Sequence, residues 1–288
     1  MTLKEALSAF IQRLEPTAAE RSAVKGAYGP LIARCMKPLA LDPAKQAFLA
    51  GSWGRSTAIT PLHDVDIFAV LSVTPDRDQQ KHRPSEVLSQ VERALRALHP
   101  GVRVLRQRRS IQLAGLVPGA PQLGFDVVPA FRNPDHPDRY HIPDERGDLW
   151  IRTNPELHKK RLDSGDPQLR SFIKVVKRWN RHKNLQFKSF YIEVMCLSAL
   201  TGPSGGQMSG LKATFEGLAR VVRAPVRDPA ELGPNLDGDK PKAERDRLAG
   251  LFLEAASEIG RAQADEASGR LDLAHHRMRT LLGPDWPT

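Results

Sequence analysis

The chain has 288 residues, a formal net charge of +10, 40% hydrophobic residues and two cysteines. That length buries one large core or two moderate ones, the hydrophobic content excludes a disordered chain, and two cysteines are too few for a disulfide framework or a four-ligand zinc site. No run reaches the ~20 apolar residues of a membrane span and no signal-peptide pattern opens the chain, so the expectation is a cytoplasmic protein with polyanionic partners.

Thr2-x-x-Glu5 and Thr17-x-x-Glu20 are capping boxes that open two N-terminal helices, the second ending before Pro38. Gln46 to Ala50 and Asp64 to Leu71 read as strands on either side of a glycine-rich turn. Val87, Leu88, Val91, Leu95 and Leu98 fall on one face of a helix over 85–98. Val102 to Arg106, Arg109 to Leu116 and Leu123 to Phe131 continue the sheet. The Pro- and charge-rich stretch from Asn133 to Asp148 reads as a loop, and Thr153-Asn154-Pro155-Glu156 as a helix start. Leu169, Phe172, Ile173, Val176 and Trp179 recur at helical spacing behind Asp166 as N-cap and Pro167 at the first position. Gly202 to Gly210 interrupts this helical part, and Pro225 to Lys242 is its longest irregular segment.

Asp64 and Asp66 stand two apart in an apolar run, so both project from one face of a strand. Paired carboxylates at a strand end suit Mg²⁺, with Mn²⁺ as a substitute, and Asp126, the one acid in the second apolar run, is the candidate that completes a clamp for two ions. Gly51 and Ser52, just upstream, supply backbone N–H groups and a hydroxyl for a triphosphate. Alone, an Asp-x-Asp is commonly the polar end of a strand. A Gly-Ser turn, paired acids and a distant strand acid, in that order, point to phosphoryl chemistry.

From Phe48 to Phe131 the chain resembles the polymerase β-like nucleotidyltransferase superfamily, whose signature is Gly-Ser, Asp-x-Asp and a third strand Asp. Three later segments are similar to the branch that holds oligoadenylate synthetases and the bacterial cGAS/DncV-like nucleotidyltransferases. They are Ser171-Phe172-Ile173-Lys174-Val175-Val176-Lys177-Arg178-Trp179-Asn180, the helix start Ser189-Phe190-Tyr191-Ile192-Glu193, and Val226-Arg227-Asp228-Pro229 with Gly233-Pro234-Asn235-Leu236 behind it. The resemblance implies that Lys177 and Ser189 touch the triphosphate of a bound nucleotide and that Phe190 stacks on its base. Read from the residues alone, a solvated lysine, a helix cap and a core phenylalanine are the favoured readings, and their order and spacing after the acids shift the balance. The third segment reads as a loop that brings the last helices back onto the catalytic domain.

The resemblance implies an α+β fold, with a polymerase β-like mixed-sheet core and N-terminal helices over 1–150 and a helical lobe over 151–288 that closes the nucleotide cleft. It further implies an enzyme in which Asp64, Asp66 and Asp126 hold two Mg²⁺ ions while Gly51, Ser52, Lys177 and Ser189 hold the donor NTP. A ribose hydroxyl attacks the α-phosphorus, pyrophosphate leaves, and the product is a cyclic oligonucleotide second messenger of anti-phage signalling. Its expected partners are NTP substrates, an activating protein or nucleic acid, and a downstream effector that binds the product, with no membrane. Three alternatives stay open: a template-independent RNA or tRNA 3′-end transferase, for which the chain is short; a catalytically silent nucleotide-binding module, against which the intact triad argues; and an aminoglycoside-modifying transferase, which the basic charge disfavours. The clusters Arg103, Arg106, Arg108, Arg109 and His158 to Arg161 fit a nucleic-acid surface or a merely basic one. Cys35 and Cys196 are expected as buried free thiols, and His275-His276 as a helix surface pair.

Overall fold

A computed structural model describes residues 1–72, 82–165, 167–200, 206–238 and 240–287. Helices α1 (Leu3–Leu14) and α2 (Ala18–Cys35) each open on a complete capping box, in which the threonine hydroxyl accepts from the glutamate N–H and the glutamate carboxylate accepts from the threonine N–H. There follow β1 (Ala47–Leu49), the single turn α3 (Gly51–Gly54), β2 (Asp64–Leu71), α4 (Pro84–Leu98), β3 (Arg103–Arg106), β4 (Ile111–Ala114), β5 (Gly124–Arg132), β6 (Tyr140–Asp144) and β7 (Leu149–Thr153). The remaining elements are helical: α5 (Pro155–Asp163), α6 (Leu169–His182), α7 (Ser189–Ala199), α8 (Gln207–Val221), α9 (Lys242–Ala267) and α10 (Leu271–Leu282). Contacts group Pro16–Ser56 with Pro61–Lys159 as a sheet unit, and Met1–Glu15 with Thr57–Thr60 and Lys160–Thr288 as a helical unit. The first helix and a four-residue excursion after the Gly-Ser turn thus belong with the C-terminal helices, a grouping that differs from one cut near residue 150.

In the sheet unit the strand order among the described residues is β1-β2-β5-β4-β3, with β6 paired to β5 and β7. β2 and β5 run parallel and the other pairs antiparallel. The mixed sheet expected from the sequence is therefore present, and its two acid-bearing strands are neighbours. β2 is buried along Ile67–Leu71, so it sits where a central strand should, with its acids at the exposed end. One face packs Phe68, Val70, Val128, Ala130 and Tyr140 together, with Phe48 stacked on Phe68 at 5.1 Å between ring centres. The stretch expected as a loop over 133–148 instead contains β6 and, after a turn, is followed by β7. Tyr140 is fully buried and Ile142 pairs with Ile151. Pro143 and the flanking charges mask the alternation that marks a strand.

The helical unit is built on the apolar stripe of α6: Leu169, Phe172, Ile173, Val176 and Trp179 are all buried, and Trp179 meets Phe215 and Phe252, each at 5.3 Å. This helix starts at Leu169, after Pro167, with Gln168 at the cap position, and the expected cap Asp166 lies outside the described residues. α8 begins at Gln207, inside the expected break, while 201–205 lie outside the described residues. The irregular segment after α8 is fastened within this unit by the buried Arg245. Its guanidinium donates to the carbonyls of Val222 (3.3 Å), Ala224 (2.7 Å) and Lys240 (2.9 Å) and pairs with Asp237.

Both cysteines are buried and free, and burial pushes the Cys35 thiol up to about 11 and the Cys196 thiol upward as well. His275 is not a surface residue. Its Nδ1 accepts from Trp286 Nε1 at 3.1 Å, which leaves Nε2–H to donate to the Met1 carbonyl at 2.9 Å. No described helix is long and apolar enough to cross a membrane.

Candidate active site

The site grows from the register of three strands in the sheet unit. Asp66 on β2 lies beside Asp126 on β5, and Asp126 lies beside Gln112 on β4; two residues along, Asp64 lies beside Gly124, which lies beside Ala114. Side chains alternate along a strand, so Asp64, Asp66, Asp126 and Gln112 share one face of the sheet. Strand neighbours sit about 4.8 Å apart, which crowds three acids at one end of the sheet. Burial, then Asp66, then Asp64 push the Asp126 carboxyl up to about 7, against an opposing hydrogen bond from Gln112.

The turn that precedes β2 is shaped around these acids. Gly51 adopts φ +56°, a left-handed conformation suited to glycine, and a Cβ there would lie 1.6 Å from Asp66 Oδ2. Gly54 is also obligatory, since a Cβ would meet the Leu49 carbonyl oxygen at 2.4 Å. The segment closes as one helical turn, with Gly54 N–H donating to the Ala50 carbonyl at 2.8 Å and Arg55 N–H to that of Gly51 at 3.2 Å. Ala50 offers no side chain to cap it. The Gly-Ser turn and the paired acids are thus brought together as the sequence predicts.

Two glutamines that the sequence reading did not single out complete the surroundings. Gln112 Nε2 donates to Asp64 Oδ1 at 3.0 Å and Gln107 Nε2 reaches Asp126 Oδ1 at 3.4 Å, while the Ser110 hydroxyl donates to Gln107 Oε1 at 2.8 Å. The only sequence signal for Gln112 is a polar residue between Ile111 and Leu113. Among the described residues no three His, Cys, Asp or Glu side chains already gather into a metal shell. The donor set nonetheless fits Mg²⁺ in kind: the carboxylates are hard oxygen ligands, and their crowding, seen in the raised Asp126, is what a divalent cation relieves.

Lys177, Ser189 and Phe190 belong to the helical unit. Lys177 is buried, and its Nζ donates to Glu193 Oε1 at 2.7 Å, to the Thr57 carbonyl at 3.0 Å and to Thr57 Oγ1 at 3.2 Å. The Thr57 hydroxyl donates to Glu193 Oε1 at 2.7 Å. It is therefore not a solvated helix lysine; it grips Thr57, five residues after Ser52. Ser189 is exposed at the first position of α7, whose cap residue is Lys188, and Phe190 is half-buried against the helical core. The arginine cluster is largely spent on local pairing. Arg108 Nε and Arg109 Nη2 bind the buried Asp144 carboxylate, the latter at 2.7 Å, and Arg106 pairs with Glu145 at 2.9 Å. Burial raises the Asp144 carboxyl, but these arginines outweigh it and hold it below its usual range.

The profile of the Second Messenger Oligonucleotide or Dinucleotide Synthetase domain matches residues 1–164, more than half of the chain. The chain belongs to that family. It is a nucleotidyltransferase, and the resemblance to bacterial cGAS/DncV-like enzymes drawn from the sequence is borne out. No curated protein sequence matches it. Among solved structures, this synthetase is similar in fold to CdnC of E. coli MS115-1 with ATP, at 17% identity over 99% of both chains and a TM-score of 0.78. It is also similar to the CdnC:HORMA-deltaN complex from the same organism, at 16% identity over 99% of this chain and 98% of the other, TM-score 0.76. A third is Vibrio cholerae DncV cyclic AMP-GMP synthase with the linear intermediate 5′ pppA(3′,5′)pG, at 11% identity over 96% of this chain and 94% of the other, TM-score 0.74.

Proposed function

We propose that this synthetase joins NTPs in the cytoplasm into a cyclic oligonucleotide that serves as a second messenger in anti-phage defence. The observation that carries the reading is the row Asp66–Asp126, with Asp64 two residue pairs along on the same face and Gly51 packed on Asp66. The Gly51-Ser52 turn holds the donor triphosphate, joined by Ser189, and Phe190 takes the base by stacking, worth about 1–3 kcal/mol. Lys177 reaches phosphate by exchanging one of its present partners, Glu193 or Thr57.

Two Mg²⁺ ions held by Asp64, Asp66 and Asp126 would supply positive charge to the triphosphate and acidity to the attacking hydroxyl. Asp126 then accepts the hydroxyl proton as the general base. The ribose oxygen forms a bond to the α-phosphorus, the bond to the bridging oxygen breaks, and pyrophosphate carries away its electron pair. A repeat of the step within the linear product closes the ring. The CdnC:HORMA-deltaN structure supports a protein activator, and the ATP-bound and intermediate-bound relatives support NTP substrates. An effector that binds the product completes the pathway.

The test is incubation of the purified protein with labelled NTPs and Mg²⁺ or Mn²⁺, followed by phosphatase. A phosphatase-resistant product that disappears in Asp64→Ala/Asp66→Ala is expected. Linear products alone, with and without a HORMA-type partner, would remove the cyclic assignment.

A further inference from the structure

We propose that Gln112 is a positioning residue of the acidic site: its side-chain amide, reaching across the bare backbone of Gly124, sets the Asp64 carboxylate for metal binding. This rests on the metal-assisted reading above. By register Gln112 is the direct neighbour of Asp126, whereas Asp64 lies two strands away, opposite Gly124. A side chain at 124 would stand between them. A Cβ on Gly124 would lie 2.9 Å from Gln112 Nε2 and 3.2 Å from its Cδ, well inside normal contact. Glycine leaves a channel through which the amide travels diagonally to bond Asp64 Oδ1 at 3.0 Å.

The chemistry of the amide suits the task. Nε2 carries two N–H groups and no charge, so it orients a carboxylate without competing for the ion as an arginine or lysine would. It also donates into the group of acids around Asp126. Gln107, held by Ser110, approaches Asp126 from the β3–β4 turn as a second amide beside Gln112. Outer partners that orient metal-binding carboxylates commonly contribute tenfold or more in affinity.

The test is Mn²⁺ binding followed by electron paramagnetic resonance, on the wild type, Gln112→Met, Gly124→Ala, the double variant and Asp66→Asn. Gln112→Met keeps length without donors. Gly124→Ala moves only the end of a flexible side chain, in a backbone conformation alanine tolerates. Each single variant is expected to bind Mn²⁺ about tenfold more weakly with circular dichroism and melting unchanged. The double variant is expected to be no worse than either single one, because both remove the same contact. Binding within about twofold of wild type in Gln112→Met, or additive losses in the double variant, overturns the proposal. If the wild type shows no Mn²⁺ signal sensitive to Asp66→Asn, the metal reading itself fails and this inference goes with it.

Discussion

In the sheet unit, three acids are gathered on adjacent strands, where the Gln112 amide bonds Asp64 and the Gln107 amide reaches Asp126. In the helical unit, Lys177 is buried with an opposite charge on Glu193 and both lean on Thr57. The first arrangement stores electrostatic cost, visible in the raised Asp126; the second cancels it with matched hydrogen bonds. The difference teaches what a ligand meets at each place: crowded acids gain from a cation, whereas Lys177 already has its hydrogen bonds and must exchange one of them to take a phosphate.

The contrast breaks most sharply on activity. Asp66→Ala is expected to lower product formation by at least about 10⁴-fold, roughly 5 kcal/mol in barrier, with the melting temperature unchanged or raised. Rate measurements paired with thermal melts check this, and a stable variant that keeps activity would sink the assignment. On the other side, Glu193→Gln strands a buried ammonium and is expected to cost about 3 kcal/mol in denaturant unfolding, much of it recovered in Lys177→Met/Glu193→Leu. A neutral result would show that the pair is not the anchor described.

A subtler separation comes from pH. The native Asp126 holds its proton up to about 7 while the unfolded carboxyl releases it near 3.8, so metal-free protein loses stability as pH rises through that window and is level above it. Asp126→Asn should flatten the slope and leave the protein about 2 kcal/mol more stable at pH 8, read from urea titrations at several pH values. Smallest of all, Phe190→Leu is expected to raise the KM for NTP about fivefold, close to 1 kcal/mol of stacking, with kcat little changed.

The acidic strands were legible because the strand period of two ties spacing to facing, and Gly51 because a glycine-rich turn lets backbone approach phosphate; its steric fit against Asp66 needed the structure. What stayed hidden was register. Nothing local in Ile111-Gln112-Leu113 says which residue of β5 it will face, and that alone makes Gln112 a neighbour of Asp126. The Lys177–Glu193 pair was hidden in the same way: the lysine and the glutamate were each part of a recognised segment, but the union depends on how α6 packs on α7. The β6–β7 hairpin was missed because Pro143 and the surrounding charges outweigh the two buried apolar residues, Tyr140 and Ile142, in any pattern count.

The excursion of Thr57–Thr60 gives the chain an unusual wiring. Passing from Glu15 to Pro16, Ser56 to Thr57, Thr60 to Pro61 and Lys159 to Lys160, it changes unit at four places. Neither half can therefore be excised as one continuous fragment, and a gene truncated near residue 160 would leave α1 and the Thr57 segment without the helices they pack on. Distant parts of the sequence must find one another before either core closes, which favours slow, high-contact-order folding and makes the completed molecule resistant to being traded piecewise between related enzymes.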